Sequence, residues 1–210
     1  VQGGDVSVND EFERESRRLI PKEFMPTRIN TKGMVGAARQ TTVQNPYKSS
    51  TTQFYIVHGE VFSDEVLRID LDKLNGSLAK YLYDGNHEDL IDEFKELQDA
   101  GKTDELQQRV IALKPEMEEA LGMSFVNTSL TEDQIKAYTT IGGAPHLDGE
   151  YTVFGKVVDG LEVIDKIATV AVDSVDRPVD PIYMTVTIED VLKDSLTAWY
   201  GIQYLTFESK

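Results

Sequence analysis

The chain has 210 residues, 40% of them hydrophobic, with no cysteine and a formal net charge of -16. Those values exclude disulfides, thiol nucleophiles and thiolate metal sites, and they argue against nucleic acid as a partner, because no basic stripe offsets repulsion from phosphates. No stretch approaches the run of about 18 apolar residues that a membrane span requires, and the three histidines, His58, His87 and His146, are too dispersed for a zinc cluster.

The chain opens on Val1-Gln2-Gly3-Gly4-Asp5. An apolar residue running into a polar one and two glycines has the pattern of a strand end entering a tight turn. Gly33 to Arg39 is short, apolar and glycine-bounded, and Gln53 to Val57 is aromatic and β-branched, so both predict strands.

The middle of the chain differs from its flanks. Residues 60–141 carry 19 Asp and Glu against 8 Lys and Arg, which concentrates most of the negative charge in one block. There Leu67, Leu71, Leu74, Leu78 and Leu82 mark one amphipathic helix, and Leu90, Phe94 and Leu97 a second. Leu106, Val110, Leu113, Met117 and Leu121 give a third, which Pro115 must kink or split. Thr131 to Gln134 resembles a capping box opening a fourth. Asp84 to Asp89 reads as an acidic loop rather than a calcium site, since its spacing fails the EF-hand template and Lys95 stands at position twelve.

Strand signals then return. Tyr151 to Val158 follows an Asp148-Gly149 turn, Leu161, Ile164 and Ile167 have helical spacing, and Ile182, Met184, Val186 and Ile188 alternate with polar or aromatic neighbours as a strand would. The tail, 193–210, predicts an added helix or strand packing Trp199 and Tyr200. Together these segments predict a mainly β barrel or sandwich interrupted by an α-helical insertion.

Four blocks carry a resemblance: VQGGD (1–5), GMVGAARQ (33–40), SSTTQFYIVHG (49–59) and HLDGEYTVFGKVVDGLEVIDKIA (146–168). Their order resembles that of cyclophilins, the peptidyl-prolyl cis/trans isomerases, and the Ala-Arg pair and helical insert resemble the bacterial, Bacteroidetes-like branch. The resemblance implies a closed antiparallel β-barrel formed by residues 1–59 and 142–192, an acidic helical insertion at 60–141 and a C-terminal extension at 193–210. It implies rotation about X-Pro peptide bonds, proline-containing peptides and folding proteins as partners, and no cofactor or metal.

Position by position, the resemblance places Gln53 and Gln2 as hydrogen-bonding side chains of the catalytic groove. Ala38 and Arg39 offer backbone anchors for substrate, and Tyr55 and Leu147 line the proline socket. Tyr151 takes the place of a histidine, and His146 that of a tryptophan associated with cyclosporin binding, so weak drug binding is expected. From the residues alone, Tyr55 and Leu147 read as barrel core rather than pocket, and the alternatives are Gln53 as a satisfied strand residue, Arg39 as a surface charge whose side chain plays no part and His146 as a loop residue before a turn.

Relatives carry a Phe-His-Arg motif shortly before the segment matching VQGGD. The resemblance therefore implies that the barrel is incomplete on its N-terminal side in these residues and that a catalytic arginine stands upstream of Val1. Arg17, Arg18 and Arg28 lie in a polar region with nothing to aim them at the groove. Two functions follow as expectations: a prolyl isomerase, with a cell-envelope location after leader removal, or a non-catalytic proline-peptide binding or chaperone module. The insertion reads either as a selective lid or as a tolerated surface addition.

Overall fold

A computed structural model describes residues 1–5, 18–39 and 48–204. The chain divides into two compact units, one comprising Val1–His58 with His146–Lys210 and the other Gly59–Pro145.

The first unit is built on short strands: β1 (Gln2–Gly3), β2 (Leu19–Ile20), β3 (Met34–Ala37), β4 (Ser49–Ser50), β5 (Phe54–Ile56) and, after the second unit, β6 (Val153–Lys156). Four of them form an antiparallel sheet in the order β1-β5-β3-β6, and β2 pairs with β4. Aromatic and β-branched side chains in β5 suit this central position. The register sets Tyr55 opposite Gln2 on one side and Gly36 on the other. The ladder between β3 and β6 slips at Val35 and Gly36.

The helix predicted from Leu161, Ile164 and Ile167 forms at Leu161–Ala168, and Ile164 joins Ala37, Ala38, Val57 and Val153 in the buried apolar set of this unit.

Two expectations for the C-terminal segment are corrected. The alternation at 182–188 does not produce a strand: residues 181–192 have no regular structure, and Tyr183 and Ile188 are 91% and 90% exposed. Alternation specifies which face a strand would bury, but a strand is held by ladder bonds to a neighbour, and none is formed here among the described residues. The tail does form a helix, Lys193–Tyr200, yet Trp199 and Tyr200 remain exposed, touching each other edge-on at 6.4 Å.

The second unit is helical, with α1 (Asp64–Leu67), α2 (Leu71–Asp84), α3 (Glu88–Asp99), α4 (Thr103–Ala112), α5 (Lys114–Leu121) and α6 (Glu132–Thr140). Its core gathers Leu74, Tyr81, Val110, Leu113, Met117 and Phe125, so each leucine-bearing stripe faces inward. The stripe from Leu67 to Leu82 is not one helix, however. Asp70 caps α2 by accepting from the Lys73 amide at 3.0 Å, its own amide donates to the Phe125 carbonyl at 2.8 Å, and Ile69 bridges to Val126. These bonds hold the chain extended between two helices that the leucine spacing alone would fuse.

Pro115 splits the third stripe as expected, with Leu113 ending α4 and preceding α5. The capping box at α6 is complete: Thr131 Oγ1 accepts from the Gln134 amide, and Gln134 Oε1 accepts from the Thr131 amide at 2.8 Å. Arg68 fastens the end of α1 to the first turn of α6, donating to Asp64 and, at 2.8 Å, to Glu132.

Candidate functional site

Side chains alternate along a strand, so Gln53 and Tyr55 project to the same face, and Gln2, directly opposite Tyr55, joins them. Gln2 Nε2 donates to Gln53 Oε1 at 3.2 Å, which sets two primary amides side by side next to the tyrosine. Both retain donors and acceptors beyond that bond.

The Tyr55 ring lies across Gly36 on the neighbouring strand, where any Cβ would overlap it. Its hydroxyl donates to Asn30 Oδ1 at 2.7 Å. Asn30 is fully buried, and its backbone and side-chain amides both donate to Asp148 Oδ1, at 2.8 and 3.0 Å. The phenol and the buried Asn30 amide thereby find partners, as burial requires. Burial pushes the Tyr55 phenol well above its ordinary value, with the nearby Tyr151 and Asp148 adding to the effect. It stays neutral throughout the physiological range.

Tyr151 stands edge-on to Tyr55, with ring centroids 5.5 Å apart and planes at 90°, a favoured aromatic geometry. Behind Tyr151 is the Arg39 guanidinium, 5.1 Å from the Tyr151 ring and 5.8 Å from that of Phe24. Arg39 Nη2 donates to Glu150 Oε2 at 2.6 Å. Its side chain is 2% exposed, which removes the reading of Arg39 as a surface charge.

Gln2 and Gln53 thus bond each other, Tyr55, Tyr151 and Arg39 form a chain of ring and cation contacts, and Gln2 pairs with Tyr55 across the ladder. The backbone of Ala38 serves the fold, its amide donating to the Gln53 carbonyl at 2.9 Å and its carbonyl accepting from the Ser50 amide at 2.8 Å. His146 and Leu147 sit in a single turn of 3-10 helix, His146 exposed and Leu147 half-buried, and Leu147 is followed directly by Asp148.

The residues that sequence reasoning missed are Asn30, Asp148, Glu150 and Phe24. One signal existed: a tyrosine in a strand brings a hydroxyl that must find an acceptor if buried.

Of the other arginines weighed, Arg28 donates to the Val153 carbonyl at 3.2 Å, the Arg18 carbonyl accepts from the Thr51 hydroxyl at 3.2 Å, and Arg17 lies outside the described residues. Among the described residues no group of three or more His, Asp or Glu side chains is arranged to hold a metal ion, and no helix is long and apolar enough to cross a membrane.

Comparison with known proteins adds an independent line. The profile of the family described as "Cyclophilin type peptidyl-prolyl cis-trans isomerase/CLD" matches residues 83–189, just over half the chain. A Rhizopus delemar protein, "Peptidyl-prolyl cis-trans isomerase-like 2", is 45% identical over 56 residues, covering 27% of this chain and 10% of that protein. A peptidyl-prolyl cis-trans isomerase of Schizosaccharomyces pombe is 35% identical over 60 residues, 29% of this chain and 39% of its own length. A Staphylococcus haemolyticus protein provisionally named for the same activity is 26% identical over 159 residues, 71% of this chain and 80% of that one. The chain therefore spans well under half the length of the first two relatives.

Proposed function

Because this chain belongs to the cyclophilin-type peptidyl-prolyl cis-trans isomerase family, we propose that the protein accelerates rotation about X-Pro peptide bonds and so assists protein folding. The reaction makes and breaks no bond. Partial double-bond character sets a barrier of about 18–20 kcal/mol, and uncatalysed exchange takes tens of seconds or longer. Lowering that barrier requires an apolar seat for the proline ring, donors that hold the neighbouring backbone, and stabilisation of the twisted amide more than of its planar forms.

The observation that carries this reading is the pairing of the two amides with a tyrosine whose hydroxyl is turned into the protein. Gln2 and Gln53 supply donors and acceptors for a peptide backbone, while the Tyr55 hydroxyl is spent on Asn30, so the ring can act as the phenylalanine-like wall the family uses. Leu147, beside Asp148, is the second wall in this reading, and Tyr151 flanks Tyr55.

The reaction gains further from a cation at the proline nitrogen, and Arg28 and Arg39 are engaged with the Val153 carbonyl and Glu150 respectively. The same reading includes closure of the strands into the family's antiparallel barrel, proline-containing peptides and folding proteins as substrates, weak cyclosporin binding through the exposed His146, and a cell-envelope location, which fractionation of the full-length protein tests.

The direct experiment measures cis/trans exchange of an Ala-Ala-Pro-Phe tetrapeptide by the full-length protein and its Gln53→Ala variant. The wild type should accelerate exchange, and the variant should lose about tenfold or more in kcat/KM, the loss of one hydrogen bond made in the transition state. Binding of the peptide without acceleration would support the non-catalytic module instead.

A further inference from the structure

We propose that the Arg39 side chain is a positioning residue that fixes the Tyr151 ring, and through it the aromatic wall beside Tyr55. This deepens the isomerase reading and rests on it. The resemblance assigns only backbone contacts to this position. The side chain is nevertheless withdrawn from water at 2% exposure, while its carboxylate partner Glu150 is 60% exposed.

Burying a guanidinium costs free energy, and a largely solvated carboxylate such as Glu150 offsets only part of it. Two rings flank the guanidinium, Tyr151 at 5.1 Å and Phe24 at 5.8 Å, and a desolvated cation interacts most strongly with aromatic faces. A planar guanidinium can lie against a ring and still direct an in-plane donor, here Nη2, at Glu150; an ammonium has no such plane.

The contacts run in one direction. Arg39 holds Tyr151, Tyr151 meets Tyr55 edge-on at 5.5 Å, and Tyr55 lies beside the Gln2–Gln53 pair. Glu150 and Asp148 belong to the same turn, so one turn anchors both rings: Glu150 through Arg39, and Asp148 through Asn30. Arg39 touches no reacting bond, and its effect is on how well the groove is formed before substrate arrives.

The test uses the full-length protein with Arg39→Met, Arg39→Lys and Tyr151→Ala. In the wild type, NMR should resolve the two sides of the Tyr151 ring because flipping is slow; in Arg39→Met they should average. For the tetrapeptide, Arg39→Met should raise KM about five- to tenfold with kcat changed less than about twofold, and Arg39→Lys should recover only part of the loss. In a Tyr151→Ala background, Arg39→Met should change KM less than about twofold, because its target is gone.

A folded Arg39→Met protein with an unchanged Tyr151 ring and KM, or an equal KM effect with and without Tyr151, overturns the inference. If Arg39→Met fails to fold, Arg39→Lys and Glu150→Gln decide it through the same ring and KM measurements. A wild type that does not isomerise overturns the isomerase reading, and the Tyr151 ring measurement still decides this one.

Discussion

Tyr55 and Asn30 are joined by a 2.7 Å hydrogen bond in which the phenol donates to a fully buried side-chain carbonyl. That bond settles which way the polar end of the ring points. Tyr55→Phe should leave the ring wall in place and strand the Asn30 carbonyl, at a cost of about 1–3 kcal/mol in urea unfolding, with the tetrapeptide KM little changed. The pH dependence follows from the raised phenol. An unfolded tyrosine ionises near pH 10 and the folded Tyr55 higher, so its contribution is present below about pH 10 and lost as pH rises further. Stability measured from pH 9 to 11 should fall less steeply in Tyr55→Phe than in the wild type.

Gly36 lies under the same ring. A Cβ there would overlap Tyr55, and both residues sit in paired strands that cannot move apart without breaking ladder bonds. Gly36→Ala should displace the ring, lowering both the unfolding midpoint and peptide affinity. The corresponding change at Gly76, in the interior of α2 where a Cβ meets open space, should leave peptide affinity unchanged and raise the midpoint, since alanine is about 1 kcal/mol better than glycine there.

The first unit carries an acid-sensitive contact away from this site. Asp165 accepts from Lys32 and, at 3.1 Å, from His58 Nε2, and the Lys32 hydrogen bond chiefly holds its carboxyl below the ordinary value of 3.8. A carboxyl depressed in the folded state stabilises fully above its unfolded value and loses that contribution as pH falls through the folded one. Thermal unfolding between about pH 5 and 2 should therefore show a shallower decline in Asp165→Asn than in the wild type.

In the helical unit, Leu74 is wholly buried among Tyr81, Val110, Met117 and Phe125. Leu74→Ala should cost about 2–5 kcal/mol, the range for removing a buried leucine side chain where the surroundings cannot collapse. Chemical denaturation followed by far-UV circular dichroism reads it.

Much of this architecture was legible because local chemistry dictates it. Pro115 divides its helix, Thr131 and Gln134 form the expected reciprocal cap, and the Asp148-Gly149 pair makes its turn with Gly149 at φ 73. The leucine stripe from 67 to 82 misled because spacing records which residues face inward and not whether the backbone between them is helical; Asp70 and Ile69 bond elsewhere. The alternation at 182–188 misled for a related reason, since a pattern does not supply a neighbouring strand.

At the site, Gln2, Gln53 and Tyr55 could be named from the resemblance. The bonds beneath them could not. Asn30 and Asp148 are 118 positions apart, and Arg39 and Glu150 are 111 apart, so no local pattern connects them.

The central claim is catalysis of X-Pro rotation, and the most direct measurement is the slow, proline-limited refolding phase of a substrate protein with and without the full-length protein. An isomerase shortens that phase in proportion to its concentration, and the Gln53→Ala variant should shorten it about tenfold less. An unchanged slow phase at equimolar protein, with tetrapeptide exchange also unaccelerated, would contradict the account.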